Sequence, residues 1–522
     1  MPTERLARSG SQSLFGSAFA AFAALGLTAL VGNGLGAHGT GVFFQAVGIF
    51  TIASQVLRLG TNSSIVKMIS EQRAFGRVGE SWRTVVIGLV PVILVAIIAA
   101  VAVAVFATPL ATWLGSGGER SELAELLRDM APFIVLGAAL AVLQTTARML
   151  RGVWTFTLLQ SILQPLSRLF MVLVAIVFAW NALDAFRAWM AVIPFWVVIT
   201  IAVLARPLVL DWRQRHQAQE STREAVTRFW AFSSTRAVGG ALETALEWSD
   251  VLIVAALRSP TEAGIYAVAT RTVRAGQVVD RAMRLAVSPT ISEMLARSEL
   301  TAARTLHTSV TRAMILSNWP YYLILATMGP AVLSIFGPEF AAGSIVLVIL
   351  AGAMMVSSSA GMLQSILLQG GRSSWQMYNK AVAFTISVGG NLLLVPVLGL
   401  FGAAITWAAG ILVETAIASW QVHRRMGVHL QPGKLGLAML LPLVVFGGGG
   451  LTIRLVFGST FSALILGVLI LGIIYLALLW LLRERLGIIS IWREIPVLRR
   501  FAAKPPSVPD EITSLSPDDS RR

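Results

Sequence analysis

Runs of about twenty apolar residues recur along this chain, separated by short polar breaks, and that recurrence leaves few folds open. A helix rises about 1.5 Å per residue, so each run matches the ~30 Å hydrocarbon core of a bilayer. Fourteen crossings are predicted, at 13–31, 40–60, 83–106, 131–150, 155–179, 186–205, 229–257, 264–290, 310–329, 341–368, 377–396, 400–421, 435–456 and 460–482. Composition agrees. Of 522 residues, 56% are hydrophobic and 13% charged, against about a quarter charged in soluble domains. The chain reads as an all-α integral membrane protein of about 14 transmembrane helices. Its first run, Leu14 to Val31, exceeds the 7–15 residues of a signal-peptide core and is read as a retained helix.

Lysine and arginine set the orientation. With the N-terminus inside, 30 of the 41 basic residues fall in the inner loops and the tail, and 5 in the outer loops. Both termini are therefore placed in the cytoplasm, beneath the plasma membrane. The same asymmetry accounts for the net charge of +15 without any nucleic acid. There is no cysteine, and the five histidines form no HExxH or paired-helix motif, so neither disulfide nor metal is expected. No GxxxxGK[ST] loop is present, and no cofactor is implied. The longest outer loop, from Ala107 to Met130, is too small for a catalytic domain. No catalytic residue is assigned, and an enzyme is not expected.

Charge also divides the chain. The inner stretch from Arg206 to Arg228 follows six helices and is densely charged. The division is a six-helix lobe over 1–206, a cytoplasmic linker over 207–228, a second six-helix lobe over 229–425, two additional helices over 426–486, and a tail over 487–522. The tail begins GIISIWREIPVLRRF, mixing apolar and basic residues as a membrane-surface helix does, and ends in a Pro-, Ser- and charge-rich disordered segment. The second helix of each six shares a pattern. GVFFQAVG…SIVKMISE starts at Gly41 and GIYAVATR…SPTISEM at Gly264, and both end in Ile-Ser-Glu. Six helices per repeat keep the halves parallel, related by an axis along the membrane normal.

The seventh and eighth segments carry charge at a depth where lipid forbids it. The seventh holds Arg236, Glu243, Glu247 and Asp250; the eighth holds Arg271, Arg274, Asp280, Arg281 and Arg284. Glu243, Glu247 and Asp250 share one helix face. Counted from the turn at Arg258-Ser259-Pro260, Asp250 is level with Arg271, and Glu247 with Arg274. These groups must face one another or water. Arg168, after Gln164-Pro165, lies alone in the fifth segment, either in a cavity or capping a break at Pro165. The small polar run SSSAGMLQS from Ser357 is read as helix packing.

Four stretches carry a family resemblance: GTGVFFQAVGIFTIASQVLRLGTNSSIVKMISE from Gly39, SDVLIVAALRSPTEAGIYAVATR from Ser249, SIFGPEFAAGSIVLVILAG from Ser334, and GNLLLVPVLGLFGAAITW from Gly390. The chain resembles the oligosaccharide flippases of the multidrug/oligosaccharidyl-lipid/polysaccharide (MOP) exporter superfamily over most of residues 10–425. The resemblance implies two six-helix lobes in a V around a central cavity, and alternating access to a polyprenyl-diphosphate-linked oligosaccharide. It implies no cofactor, and leaves open whether the chain works alone or beside a polysaccharide polymerase or assembly machinery. The first helix lacks the acidic residue frequent in drug exporters. The second holds only Arg58, fewer charges than a lipid II flippase is expected to carry. A flippase for exopolysaccharide or similar units is favoured over a lipid II flippase or a multidrug or small-solute cation antiporter.

Under that resemblance, Arg168, Arg236, Arg271, Arg274, Arg281 and Arg284 are the candidate diphosphate ligands, since guanidinium stays charged and its planar fork fits phosphate oxygens. The competing arrangement is a set of membrane-buried ion pairs. Glu243, Glu247, Asp250 and Glu414 are the candidates for coupling to a proton or Na⁺, or for those pairs. Glu243, furthest from an arginine in sequence, is the first choice for coupling.

Overall fold

In a computed structural model, each of the fourteen segments is helical, and no strand occurs among the described residues, which are 2–77, 79–115, 120–217 and 220–487. The expected surface helix of the tail lies outside them, apart from Gly487. Ten helices among the described residues are long and apolar enough to cross a membrane, or eleven with the bent pair Leu300–Thr327 and Gly329–Phe336. The protein is thus a multi-pass, all-helical membrane protein. Outward-facing side chains are apolar: Leu393, Leu455, Ile473 and Leu476 are all more than 60% exposed to what is lipid in place.

The first two segments form one helical stretch, α1 (Pro2–Leu57), bent at Gly36. Gly36 sits at φ 66°, in the left-handed region that glycine enters without a Cβ clash. After Gly60 come α2 (Thr61–Ala74), α3 (Ser81–Val105), α4 (Ala107–Leu114) and α5 (Arg120–Arg151). α6 (Val153–Val177) widens to a π-helix over Thr157–Leu163, and α7 runs over Ala182–Arg213. α8 (Thr222–Leu257) is capped by Ser221 and Glu224 in a reciprocal box. The two serine donors hold the Glu224 carboxyl below its usual range. The eighth segment is broken at Gly276 into α9 (Pro260–Ala275) and α10 (Gln277–Ala296), and α11 spans Leu300–Thr327. The tenth is broken into α12 (Ser344–Ser359) and α13 (Leu363–Gln369), with Gly361 at φ 76° between them. α14 (Ser373–Leu398), α15 (Leu400–Trp420), α16 (Pro432–Phe457) and α17 (Phe461–Leu481) complete the chain.

The stretch expected as a cytoplasmic linker is largely helical among its described residues. α7 continues to Arg213 and α8 begins at Thr222. Polar contacts stitch it to the α2–α3 corner. Asp211 accepts from the backbone N–H groups of Gly79 and Trp82 at 3.0 and 2.8 Å, Arg83 donates to the Glu220 carbonyl at 2.7 Å, and Arg228 pairs with Glu220 at 2.7 Å. Charge density there reflects anchoring, not a tether.

α1 and α9, the second helices of the two sets of six, pack tightly on each other. A Cβ on Gly41 would run into the Pro260 carbonyl, and one on Gly264 into the Ala37 carbonyl. The contact is reciprocal, since Ala37 precedes Gly41 by one helical turn and Pro260 precedes Gly264 by one. A small residue on each side lets the backbones touch, as in membrane helix pairs generally. The same end is closed by Asn33 donating to the Ile335 carbonyl at 2.8 Å and by the Glu339 carboxylate accepting from the Ala37 N–H at 2.8 Å.

Candidate functional site

A cavity of about 520 Å³ is lined only by residues between Glu243 and Thr415. It lies where α9–α10 and α12–α13 both break, so two discontinuous helices flank it. Transporters commonly place binding sites at such breaks. Arg274, Gln277, Asp280, Arg281 and Arg284 reach it from α9 and α10, Glu243 and Glu247 from α8, Ser357 and Gln364 from α12 and α13, Lys380 from α14, and Glu414 from α15.

The expected charge pairs rearrange. Arg274 takes both partners: it donates to the Glu247 carbonyl at 2.7 Å, lies 3.7 Å from the Glu247 carboxylate, and lies 4.0 Å from that of Asp250. Asp250 is fully buried and also accepts from the Tyr266 hydroxyl at 2.8 Å. Arg271, level with Asp250, does not pair with it. Its guanidinium lies between Phe44 and Trp248, 3.8 and 4.6 Å from their ring centroids, and it is absent from the cavity. Equal depth fixes position along a helix but not direction around it, and Arg271 points toward α1. Arg236 also stays outside the cavity, exposed and stacked 5.4 Å from the Phe232 ring.

Glu243, the first choice for coupling as the carboxylate furthest from an arginine in sequence, pairs with Lys380 at 2.8 Å. Lys380 belongs to α14, not to an inner loop, and with Gln376, Ala383 and Ser387 forms an i, i+4, i+7, i+11 stripe facing the cavity. That stripe was readable in the sequence. Ser357, Ser358 and Gln364 likewise line the cavity, where packing was expected. Glu414 accepts from Gln364 at 2.8 Å, and Asp280 accepts from Asn318 at 2.5 Å. Arg281 and Arg284 face the cavity with no ion pair among the described residues.

The fully buried Asp250 gives a sharp stability test. Removing one member of a buried pair leaves a charge uncompensated, at about 3–5 kcal/mol. D250A is expected to cost about 3 kcal/mol, read as a fall in the thermal unfolding midpoint in detergent. D250L/R274M, with both charges gone, should recover most of it.

Arg168 lies elsewhere. It lines a second cavity of about 230 Å³ with Arg58, built from α1, α5, α6 and α7. The reading of Arg168 as a cap at Pro165 gives way to its cavity reading, but in the N-terminal half and apart from the other arginines.

Comparisons with known proteins agree with this architecture. Residues 7–295 match the family model described as polysaccharide biosynthesis protein. The curated relative "Probable low-salt glycan biosynthesis flippase Agl15" of Haloferax volcanii is 27% identical over 225 residues. That match spans 41% of this chain and 45% of the relative, so the chain spans about half the length of the relative it matches. The lipid II flippase MurJ, in an inward closed conformation, superposes with a TM-score of 0.70 at 11% identity, over 91% of this chain and 99% of that one. An inward-facing multidrug resistance MATE family transporter of the MOP superfamily does so with a TM-score of 0.60 at 14% identity, over 78% and 94%. These structural likenesses establish the fold.

Proposed function

Since this chain belongs to the polysaccharide biosynthesis protein family, we propose that it is a flippase, not an enzyme, carrying a polyprenyl-diphosphate-linked oligosaccharide from the inner to the outer leaflet of the plasma membrane. The observation that carries this reading is the pair Arg281 and Arg284, facing a 520 Å³ cavity with no carboxylate within ion-pair distance of either among the described residues. A guanidinium held at membrane depth without an acid partner demands negative charge from elsewhere. A diphosphate supplies it, and the planar forks match its oxygens. The cavity is of ordinary small-ligand size, so it takes the diphosphate and the first sugar, while the lipid and the rest of the glycan lie outside. Gln277, Ser357, Gln364 and Gln376 offer hydrogen bonds to sugar hydroxyls.

Both termini are cytoplasmic in this reading, and residues 1–206 and 229–425 form the two moving lobes with 426–486 appended. The Gly41–Gly264 contact and the Asn33 and Glu339 bonds close the outer gate. Coupling falls to Glu414, whose only bonded partner among the described residues is the neutral Gln364. A cation antiporter is the weaker reading because two arginines without an ion pair among the described residues, Arg281 and Arg284, face the cavity. A polymerase or assembly machinery would take up the product outside.

The experiment is reconstitution in liposomes with a fluorescent polyprenyl-diphosphate oligosaccharide, following its accessibility to an added quencher. Transfer at least tenfold faster than in protein-free vesicles is expected. Equal rates sink the proposal, and transfer of lipid II alone moves the chain to the peptidoglycan branch.

A further inference from the structure

The N-terminal lobe holds a second cavity that the transport reading does not use. About 230 Å³ in volume, it is lined by Ser54, Arg58, Gln144, Gln160, Arg168 and Trp189, among others, and no carboxylate lines it. It draws on the second, fourth, fifth and sixth helices of its set of six. The larger cavity uses the matching helices of the other set, together with α8 and α11.

Its walls carry polar groups with nothing to bind. The Ser54 hydroxyl, the Nε of Arg58, the Oε1 of Gln160 and the Nε of Arg168 are all shielded from solvent and lack a hydrogen-bond partner. A buried polar atom left unsatisfied costs about 1–3 kcal/mol, more for a charged group. Four of them face one space, and buried polar groups in folded proteins are mostly satisfied. Trp189 covers one face of the Arg168 guanidinium, 3.9 Å from the ring centroid, which leaves the edge of the group for hydrogen bonds. Gln144 donates its side-chain amide to the Gln164 oxygen at 3.0 Å, and the two frame one wall. Water alone would serve the serine and the glutamine. It would leave two desolvated cations, neither of which has an ion pair among the described residues, uncompensated.

We propose that this cavity is an anion site for a phosphate-class oxyanion, held between Arg58 and Arg168. Two guanidinium forks and a serine hydroxyl supply donors for the oxygens. The Gln160 carbonyl oxygen is an acceptor, and it selects for an oxyanion that keeps a proton near neutral pH. Phosphate keeps one and sulfate does not. At about 30 Å³ per water, the volume takes one such ion with a few waters. The occupant is either free inorganic phosphate or the phosphate end of a lipid carrier. The site stands whether or not the chain moves a lipid-linked glycan.

The test is equilibrium binding of radiolabelled inorganic phosphate to the full-length protein in nanodiscs. A saturable site that depends on Arg58 and Arg168 is expected. R58Q and R168Q should each weaken it at least tenfold, R168K should retain part of it, and R281Q/R284Q should leave it unchanged. Sulfate should compete at least tenfold less well than phosphate, and Q160L, a neutral change that spares the arginines if R58Q or R168Q fails to fold, should erase that preference. Displacement by polyprenyl diphosphate added to the nanodiscs assigns the site to the lipid's phosphate; failure to displace assigns it to the free ion. Absence of saturable binding in the unaltered protein overturns the proposal, as does binding that survives R58Q and R168Q but is lost in R281Q/R284Q. Loss of transport with phosphate binding intact removes only the flippase reading.

Discussion

The R281Q/R284Q double variant should lose glycan transport by about a hundredfold or more while unfolding at the same temperature as the unaltered protein. Each charge-assisted hydrogen bond to phosphate is worth about 1.5–3 kcal/mol. Losing two removes at least about 3 kcal/mol, at 1.4 kcal/mol per decade. Stability should hold because neither arginine is engaged in an ion pair within the protein among the described residues. That separates them from Arg274, whose loss strands Asp250 and should lower both transport and stability. R281K/R284K keeps the charge but loses the bidentate fork, and should recover only part of the activity. Quencher-accessibility transport and thermal unfolding decide the matter together. Unchanged transport in R281Q/R284Q would remove the arginines from the substrate path. A fall in the unfolding midpoint equal to that of D250A would make them structural.

What the sequence disclosed and what it hid have physical causes. The crossings were legible because a bilayer imposes length and apolarity on every span. The bend in α1 was not: the glycine-rich stretch from Gly32 to Gly41 looks like a loop, yet one left-handed residue, Gly36, turns the helix without ending it. Charges at depth marked α8, α9 and α10 as lining something polar, which they do. Pairing was misjudged because depth counts rise per residue and ignores azimuth. Arg271 and Arg274 are neighbours on the helix, and one meets aromatic rings while the other meets carboxylates. Lys380 and Arg58 fall within predicted crossings, at 377–396 and 40–60, but nothing in the sequence says which way either side chain points. The first binds Glu243 and the second lines the N-terminal cavity. The cavity serines of α12 resemble packing residues by composition, and only the break at Gly361 turns them toward open space.

G41V is expected to hold the two lobes apart at their shared end, and the effect should be large. The added side chain meets the Pro260 carbonyl, a backbone atom that cannot swing aside. Overpacking of this kind costs about 1–3 kcal/mol when the neighbours are side chains, and more here. The cost falls only on the state in which α1 and α9 touch. A penalty of about 3 kcal/mol shifts a two-state equilibrium by about a hundredfold, enough to make the parted form dominant if the closed form leads by less. G264V should act alike because the contact is reciprocal, and the double variant should add little once the helices have separated. The chain has no cysteine, so spin labels go where they are placed without background. Trp113 and Val397 are exposed, 86% and 77%, near this end on the two lobes, and W113C/V397C carries the pair. The measured distance distribution should move outward in G41V and stay short in the otherwise unaltered protein. An unchanged distribution would mean that the glycine contact is a static seam, and the gate would have to be sought at Asn33 and Glu339. If the lobes do part, transport stalls with one end open, and the substrate cavity between α8, α10 and α13 is left facing a single side of the membrane.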